Sequence, residues 1–297
     1  MNKKPQIFCV GSIVWDIIGR SGVKMPLGAD RPGKIIKIPG GVALNLAMKL
    51  RRNNIDVAII GIIGNDIAGS ELLKEIQERE ILTDHIIISN DLSTDTYIAI
   101  EGSNGLIGAI ADFSTLEYCE DKIFDSLVKL ISNIKDKEYY PIIALDGNIS
   151  DKLLTKLNSE PLFESLDMRI APASPGKAER LKCCVNGNIK TIYVNLEEVN
   201  LILNETHACS INAAEAFAKK YQTRIMITNG SENITLVDKG IFFSAKPPIV
   251  EVSRITGAGD VLMASHIQAE MQGYKKLDAI HFALNQTAKY ISSSDSL

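Results

Sequence analysis

The segment from residue 39 to residue 63 most constrains the fold, because its hydrophobic period changes inside it. Apolar side chains recur at helical spacing over residues 43–50, and residues 57–63 then form a continuous apolar run, VAIIGII. An apolar run of this length without polar alternation is typical of a parallel strand that is buried on both faces. The segment therefore predicts a helix that leads into a buried strand.

The same alternation recurs along the chain. The sequence predicts further helices near residues 67–79 and 211–221, and it predicts apolar strands at residues 142–145, 191–194 and 224–228. Helices that alternate with continuous apolar strands indicate a parallel sheet covered by helices on both faces. We therefore expect an α/β fold with a mostly parallel central sheet.

One section departs from this alternation and predicts a hairpin. Two β-prone runs between residues 96 and 110 are joined around Asn104-Gly105, a pair that favours a tight hairpin turn. We expect residues 13–38 and 92–111 to form a small β sheet that projects as a lid from a single domain, residues 1–297. A small sheet with one apolar face often needs a partner, so we also expect a homodimer that pairs through the lid.

Composition and charge narrow the range of partners. The formal net charge is −4 with lysines and glutamates interspersed, so small molecules are expected as partners rather than nucleic-acid polymers or anionic membranes. The five cysteines lack a C-x-x-C pair and the four histidines lack metal-ligand spacing, which disfavours disulfides and a zinc site. Because no apolar run reaches membrane-spanning length and no segment resembles a signal peptide, we expect a cytoplasmic protein.

The stretch TGAGD, residues 256–260, carries the strongest chemical signal. Its two glycines leave the backbone N–H groups at a predicted helix start open to an anion, beside the positive end of the helix dipole. An anion cradle next to a carboxylate that accepts a proton is what phosphoryl transfer to an alcohol requires. An acidic helix cap after a tight turn has the same local pattern, and spacing alone favours this plainer interpretation.

The sequence does not match two other nucleotide-binding motifs that it partly resembles. Residues 28–35 have the glycine and lysine spacing of a phosphate-binding loop, but Ile35 stands where Ser or Thr must reach Mg²⁺. Gly257 and Gly259 begin a dinucleotide fingerprint, but Leu262 replaces its third glycine and the motif lies too late in the chain.

Together with PGGVALNLA, residues 39–47, TGAGD resembles the two signatures of the ribokinase-like (PfkB) sugar kinases. The match spans essentially the whole chain. The resemblance implies a ribokinase-like three-layer α/β/α core with a small β-sheet lid, and it implies an ATP-dependent kinase that uses Mg²⁺. It also implies that Asp260 receives the proton of the substrate hydroxyl, while the backbone amides of Gly257, Ala258 and Gly259 stabilise the transferring phosphoryl group.

The resemblance also implies a sugar site. The early glycine pair and the asparagine four residues later correspond to Gly40, Gly41 and Asn45, which line that site in the family. Asp16, at the end of the segment GSIVWD, resembles the family aspartate that binds sugar hydroxyls. The two oxygens of a carboxylate match two neighbouring hydroxyls well.

A second group of residues resembles the family's nucleotide and magnesium site. Asn195 and Glu198 supply its N-x-x-E element, in which Glu198 is expected to act on Mg²⁺ through water. Thr228 and Gly230 match the nucleotide loop, whose last glycine is replaced here by Asn233, a residue type that tolerates left-handed backbone. Asn285 occupies the place of a residue near the adenine.

One residue departs from the family pattern. Many members have an acid two residues before the threonine of the glycine motif, where it contributes to a monovalent-cation site, but this chain has Arg254. A fixed guanidinium there repels K⁺, so K⁺ is not expected as a cofactor. We hypothesise that Arg254 replaces the ion.

Further stretches resemble the pseudouridine kinases within this family. They imply that Thr96, Asp112, Asn148 and Lys177 contribute to the substrate site, although Ala171 replaces an aspartate of the last motif. The resemblance therefore implies phosphorylation of pseudouridine at its 5′-hydroxyl. Ribose, fructose or another nucleoside stays open as the substrate, and so does a non-catalytic sugar or nucleoside sensor built on the same fold.

Overall fold

A computed structural model of the chain describes residues 5–134 and 139–293. The strands are β1 (Ile7–Val10), β2 (Val14–Arg20), β3 (Lys34–Gly40), β4 (Val57–Gly64), β5 (Ile86–Ser89), β6 (Thr96–Gly102), β7 (Gly105–Asp112), β8 (Ile142–Asp146), β9 (Asp167–Ala171), β10 (Ile189–Asn195), β11 (Arg224–Thr228), β12 (Ile234–Asp238) and β13 (Ile241–Ala245). The helices are α1 (Val42–Arg52), α2 (Ile67–Glu78), α3 (Ser114–Tyr118), α4 (Glu120–Ser132), α5 (Asp151–Ser159), α6 (Leu196–Leu203), α7 (Ser210–Lys220), α8 (Ala258–Met271) and α9 (Lys276–Ser292). Two 3₁₀ segments, Pro161–Phe163 and Pro175–Cys184, complete the regular structure of the described residues.

Within the described residues, a nine-stranded sheet forms the centre of the molecule. Its strand order is β13-β12-β11-β10-β9-β8-β1-β4-β5, and all neighbours are parallel except at β12 and β13, which pair antiparallel. Strand β1 lies between β4 and β8, where the strand order changes direction. The predicted α/β fold with a mostly parallel sheet is confirmed.

Hydrophobic cores cover both faces of this sheet. Successive residues of β1 point to opposite faces, so Phe8 enters one core and Cys9 enters the other. Helices α4 to α7 contribute to the first core, and α1, α2, α8 and α9 contribute to the second. In the part of the chain that the structure describes, no helix has the length and apolar character needed to cross a membrane.

The four remaining strands form a separate small sheet in the order β3-β2-β6-β7. The predicted hairpin is present, since β6 and β7 pair antiparallel around Asn104, and Gly105 has a positive φ of 95°. The small sheet is built from the two predicted lid segments, and Asp16 lies in it, in register with Ile38 and Tyr97. That this sheet acts as a lid, and that the chain forms a single domain, stay predictions.

Candidate active site

A cluster of carboxylates lies at the carboxyl ends of the central strands, where ligands bind in open α/β sheets. Asn45 in the first turn of α1 donates from Nδ2 to Oδ2 of Asp260, in the first turn of α8, at 2.9 Å. Asp16 from the small sheet and Asp146 from the end of β8 both lie within electrostatic range of Asp260. The structure therefore brings Asp16, Asn45 and Asp260 together, while their roles in substrate binding and proton transfer stay predictions.

The start of α8 is open to an incoming anion. Gly257 occupies the N-cap position with φ of +81°, a left-handed conformation that favours glycine, and no side chain caps the helix among the described residues. A β-carbon added at Gly259 would meet nothing within 4 Å, so the space in front of this residue is free. Of the three predicted amides, that of Ala258 donates to the carbonyl of Ile255 at 3.0 Å, which leaves the N–H groups of Gly257 and Gly259 to meet a ligand.

The two residues before α1 must be glycines because other residues lie too close to leave room for a side chain there. A β-carbon on Gly40 would lie 2.1 Å from Oδ2 of Asp16, and one on Gly41 would lie 2.6 Å from the carbonyl oxygen of Ser12. Gly41 also has φ of +95°. These glycines therefore allow the small sheet and the end of β1 to meet the start of α1, where Ser12 Oγ accepts from the amide of Val42 at 3.1 Å.

The structure adds two residues to which sequence reasoning gave no role, Ser12 and Asp146. Asp146 is fully buried, and its carboxylate accepts from the Ser12 amide at 2.9 Å, from the Ser12 hydroxyl and from the Asn148 amide at 2.7 Å. A β-carbon on Gly11 would lie 2.2 Å from that of Asp146. An acid at the last position of an apolar strand is the sequence signal that could have identified Asp146.

The predicted substrate residues Asn148 and Lys177 contact each other. The ammonium of Lys177 donates to Oδ1 of Asn148 and lies 4.6 Å from the centre of the Phe113 ring. Arg180 donates to the carbonyl of Asn148 at 3.0 Å. Burial lowers the pKa of Lys177, and the neighbouring charge of Arg180 lowers it further. The pair is joined to the carboxylate cluster through the bond from the Asn148 amide to Asp146.

Thr96 and Asp112 are not joined to the carboxylate cluster. They lie opposite each other on β6 and β7, and Thr96 is in register with Trp15, so both share the face of the small sheet opposite to that of Asp16. Thr96 donates to the carbonyl of Thr94 at 3.5 Å, and Asp112 accepts from the amide of Ser114 at 3.1 Å. The residue in register with Asp16 is Tyr97, which sequence reasoning did not select.

Two carboxylates of this site, Asp260 and Asp16, have raised pKa values. Burial raises the pKa of Asp260 to about 7; the hydrogen bond from Asn45 opposes this shift, and the charges of Asp146 and Asp16 add to it. Burial also raises the pKa of Asp16 to about 6. A carboxylate with a pKa near neutrality can accept a proton and release it again at the working pH.

A second group lies further along the same sheet edge. Asn195 and Thr228 are in register at the carboxyl ends of β10 and β11. Asn195 and Glu198 form a capping box at the start of α6, in which the Glu198 amide donates to Asn195 at 2.8 Å and the Asn195 amide donates to Oε2 of Glu198 at 2.7 Å. This geometry fixes both side chains at the carboxyl edge of the central sheet.

The capping box is compatible with Mg²⁺ held through water. Burial raises the pKa of Glu198 to about 7, so a nearby cation would favour its ionised form, and one carboxylate oxygen carries no helix-capping bond. The described residues contain no group of three or more metal-ligating side chains, and Mg²⁺ commonly keeps several waters and binds one or two carboxylates. These residues fit an ion held mostly by water and phosphate.

The remaining nucleotide-loop residues are only loosely connected. Gly230 is exposed and has φ of +56°, whereas Asn233 does not have a positive φ, so the left-handed conformation suggested for it is not used. Asn285 is exposed on α9, and its side chain makes no hydrogen bond to a described residue. The structure therefore leaves the role of Asn285 near an adenine as a prediction.

Comparison with known proteins places this geometry in a family. The model of the pfkB family carbohydrate kinases matches residues 4–295. The chain is 23% identical to a pseudouridine kinase of Escherichia coli, over 95% of this chain and 89% of the relative. Among solved structures, it is similar to a carbohydrate kinase from Agrobacterium tumefaciens (21% identity, TM-score 0.80, covering 98% of this chain and 92% of that one).

A third similarity is to a ribokinase from Cryptococcus neoformans in complex with ADP. The identity is 16% and the TM-score 0.72, and the alignment covers 99% of this chain and 96% of that one. These structural neighbours confirm the predicted ribokinase-like fold with its small separate sheet. Because the family model covers nearly the whole described chain, the protein belongs to the pfkB family of carbohydrate kinases.

Proposed function

We propose that the protein transfers the γ-phosphoryl group of ATP to the 5′-hydroxyl of a ribonucleoside, with pseudouridine as the leading substrate. The observation that carries the proposal is Asp260: its pKa is about 7, Asn45 orients it, and it lies beside the open start of α8. Such a carboxylate suits a hydroxyl that must lose its proton next to an anion site.

The reaction is a direct displacement at phosphorus. Asp16, Gly41 and Asn45 bind the hydroxyls of the ribose and align its 5′-oxygen with the γ-phosphorus. As the new O–P bond forms, the bond from the γ-phosphorus to the β,γ-bridging oxygen breaks and ADP leaves. Asp260 receives the proton of the 5′-hydroxyl, so the charge that develops on the attacking oxygen is relieved.

The start of α8 and the capping box act on the phosphates. The free N–H groups of Gly257 and Gly259 stabilise the transferring phosphoryl group, aided by the positive end of the helix dipole. Mg²⁺, held near Asn195 and Glu198 through water, would neutralise phosphate charge. Thr228 and Gly230 form the nucleotide loop and Asn285 lies near the adenine in this proposal. The ribokinase complex with ADP supports a nucleotide as the co-substrate.

The Asn148 and Lys177 pair supports a nucleoside over a simple sugar. A base presents donors and acceptors that ribose lacks, and this pair offers an amide and an ammonium that are buried or half-buried beside the carboxylate cluster. The similarity to a pseudouridine kinase supports the same choice. The substrate role that the resemblance implies for Thr96 and Asp112 is not part of this proposal, because both lie on the face of the small sheet opposite to that of Asp16.

The rival functions follow from the same site. Ribose or fructose as acceptor would use the same carboxylates and the same helix start, and the similarity to a ribokinase favours this alternative. A non-catalytic sensor would keep the sugar contacts without needing the raised pKa of Asp260.

A single assay separates these functions. The purified protein is incubated with Mg-ATP and, separately, pseudouridine, uridine, adenosine, ribose or fructose, and the products are identified by mass. We expect a monophosphate from pseudouridine, and none from 5′-deoxypseudouridine, the matched compound without the acceptor hydroxyl. A product from ribose or fructose alone would overturn the nucleoside assignment, and binding without any phosphorylated product would support the sensor.

We also propose that two copies pair through the small sheet. Exposed apolar side chains on that sheet support this, among them Ile110, which is 71% exposed. Sedimentation should show a dimer that I110D dissociates. The control is I241D, which changes a similarly exposed isoleucine, 60% exposed, on β13, an edge strand of the central sheet. A monomeric wild-type protein, or equal effects of both substitutions, would contradict the pairing.

A further inference from the structure

We propose that Arg254 is a positioning residue whose guanidinium serves as a built-in cation, holding the turn before α8 onto the end of α9 and replacing a free K⁺. The inference rests on the proposed function, since the turn that Arg254 holds leads directly into the phosphate-binding start of α8. Arg254 itself touches neither the proposed substrate nor the phosphates, so it acts through the backbone.

Among the described residues, the side-chain contacts of Arg254 are with the end of α9 and the residue that follows it. Its Nε and Nη2 donate to the carbonyl oxygen of Ser293 at 3.1 and 2.8 Å, and Nη2 also lies 3.2 Å from the Ser293 hydroxyl. The guanidinium carbon lies 4.6 Å from the centre of the Tyr290 ring, within cation–π range. The planar group is thus held by a carbonyl, a hydroxyl and an aromatic face.

Backbone and hydroxyl bonds join the same two segments. The amides of Ser253 and Arg254 donate to the carbonyl of Ile291 at 2.8 and 3.2 Å. Tyr290 donates from its hydroxyl to the carbonyl of Thr256 at 2.9 Å, one residue before the left-handed Gly257. The turn that ends in Gly257 is therefore fastened to the last turn of α9 on both sides of Ile255.

The electrostatic environment at the carboxyl end of α9 favours a cation. The last carbonyls of a helix lack partners within that helix and carry partial negative charge, and those of α9 lie at its end, Ser292. Arg254 fills the place with a permanent charge and with donors directed at the Ser293 oxygens. A K⁺ ion at these oxygens would have to displace the guanidinium and would meet its repulsion, so the residues present do not fit K⁺.

Because the turn held by Arg254 leads into the phosphate-binding start of α8, its position should affect turnover. The N–H groups of Gly257 and Gly259 must lie within hydrogen-bonding distance of the transferring phosphoryl group, and small displacements at such sites reduce rates strongly. Loss of the tether should therefore lower kcat, while the sugar contacts of Asp16 and Asn45, on other elements, keep the KM for the nucleoside nearly unchanged.

The first arm of the test measures turnover. We expect R254A to lower kcat by about tenfold to a hundredfold, with part of the loss restored by millimolar guanidinium, which can occupy the vacated place. The matched control R79A removes a surface arginine paired with Glu75 on α2 and should change neither kcat nor the response to guanidinium. Unchanged kcat in R254A, or a loss that guanidinium does not relieve, would overturn the proposal.

The second arm does not depend on catalysis. The thermal unfolding midpoint of the wild-type protein should be the same in KCl and in N-methylglucamine chloride at equal ionic strength, whereas millimolar guanidinium should raise the midpoint of R254A alone. A wild-type protein that K⁺ stabilises specifically would contradict the inference. If no acceptor is phosphorylated, the proposed function fails, and this arm still decides whether Arg254 is the cation of the turn.

Discussion

The two ends of α8 differ in what surrounds their buried carboxylates. At its start, the carboxylates of Asp260, Asp16 and Asp146 lie near one another, and the pKa values of Asp260 and Asp16 are raised. At its end, Glu270 is surrounded by cations. Burial alone would raise the pKa of Glu270, but the guanidinium groups of Arg169 and Arg224 hold it well below its usual range.

The network around Glu270 lies at the amino ends of the strands, opposite the proposed active site. Arg169, only 4% exposed, donates to Glu270 at 2.6 Å and also pairs with Asp167. Arg224 donates to both oxygens of Glu270, at 2.7 and 2.9 Å, and Lys276 lies 3.1 Å away. Each charge there has a partner of opposite sign.

These opposite arrangements indicate that the start of α8, rather than its end, is suited to proton transfer. Paired charges at the end of α8 stabilise the fold, and they hold the pKa of Glu270 far below neutrality. Like charges at the start of α8 cost stability, and they leave a proton acceptor next to an open anion site. Perturbed carboxylates of this kind cluster at functional sites.

The largest effect is expected from D260N. Removal of the proton acceptor should lower kcat by about 10² to 10⁴, because Asn cannot receive the proton of the attacking hydroxyl. The KM for the nucleoside should change little, since Asp16 and Asn45 remain. Steady-state kinetics with the best acceptor measures both constants, and unaltered turnover would remove Asp260 from the catalytic role.

The second effect concerns stability at the other end of α8. E270Q should lower the free energy of unfolding by about 3 to 5 kcal/mol, because it leaves the buried Arg169 and Arg224 without a full counter-charge. Urea unfolding at pH 7 measures the change. The control E78Q alters an exposed glutamate whose ion pair, within the described residues, is with Lys74 on the surface of α2, and it should change little. Equal stability of E270Q and E78Q would mean that the network does not stabilise the fold.

The third prediction is that D260N, unlike E270Q, increases the free energy of unfolding at high pH. Asp260 binds its proton more tightly in the folded protein (pKa about 7) than when exposed, so the stabilisation that this proton provides is full below about pH 4 and is lost as the pH rises to 7. Asn does not ionise, so D260N should be more stable than wild type at pH 8, by on the order of 2 kcal/mol, and nearly equal to it at pH 4. Urea unfolding at both pH values measures this, and a destabilised D260N at pH 8 would argue that Asp260 is a structural cap.

The smallest effect concerns the neighbour of the base. Because the charge of Asp146 raises the pKa of Asp260, D146N should move the acidic limb of the kcat/KM profile to lower pH by roughly one unit. The control S12A keeps the Asp146 carboxylate and should leave the midpoint in place. Titration of ATP affects all three proteins alike and cancels in the comparison. A midpoint that shifts equally in both variants would assign the effect to geometry rather than to charge.

Much of this organisation could be predicted from the sequence because it depends on local signals. Apolar periodicity gave the parallel sheet, Asn104-Gly105 gave the hairpin, and the glycine pairs marked the starts of α1 and α8. Local patterns could not give contacts made across long separations. Asp146 meets Ser12, and Arg254 meets the end of α9, only because distant elements are packed together.

Strand register was the second feature that could not be predicted from the sequence. Thr96 and Tyr97 are neighbours in the chain, but side chains alternate along a strand, so the register of β6 with β2 decides which one lies beside Asp16. The pairing places Tyr97 there, and nothing in the local composition distinguishes the two positions. The same limit applies to Asp112, which lies opposite Thr96 on β7.

The most direct test compares one substitution at each end of α8 for its effects on turnover and on stability. D260N and E270Q are prepared side by side, and product formed per folded molecule is measured together with the free energy of unfolding at pH 8. This assignment of roles to the two ends of α8 means that D260N should lose turnover and gain stability, whereas E270Q should lose stability and keep the turnover of the wild-type protein. A D260N protein that still phosphorylates its acceptor at the wild-type rate, or a folded E270Q protein that does not, would contradict it.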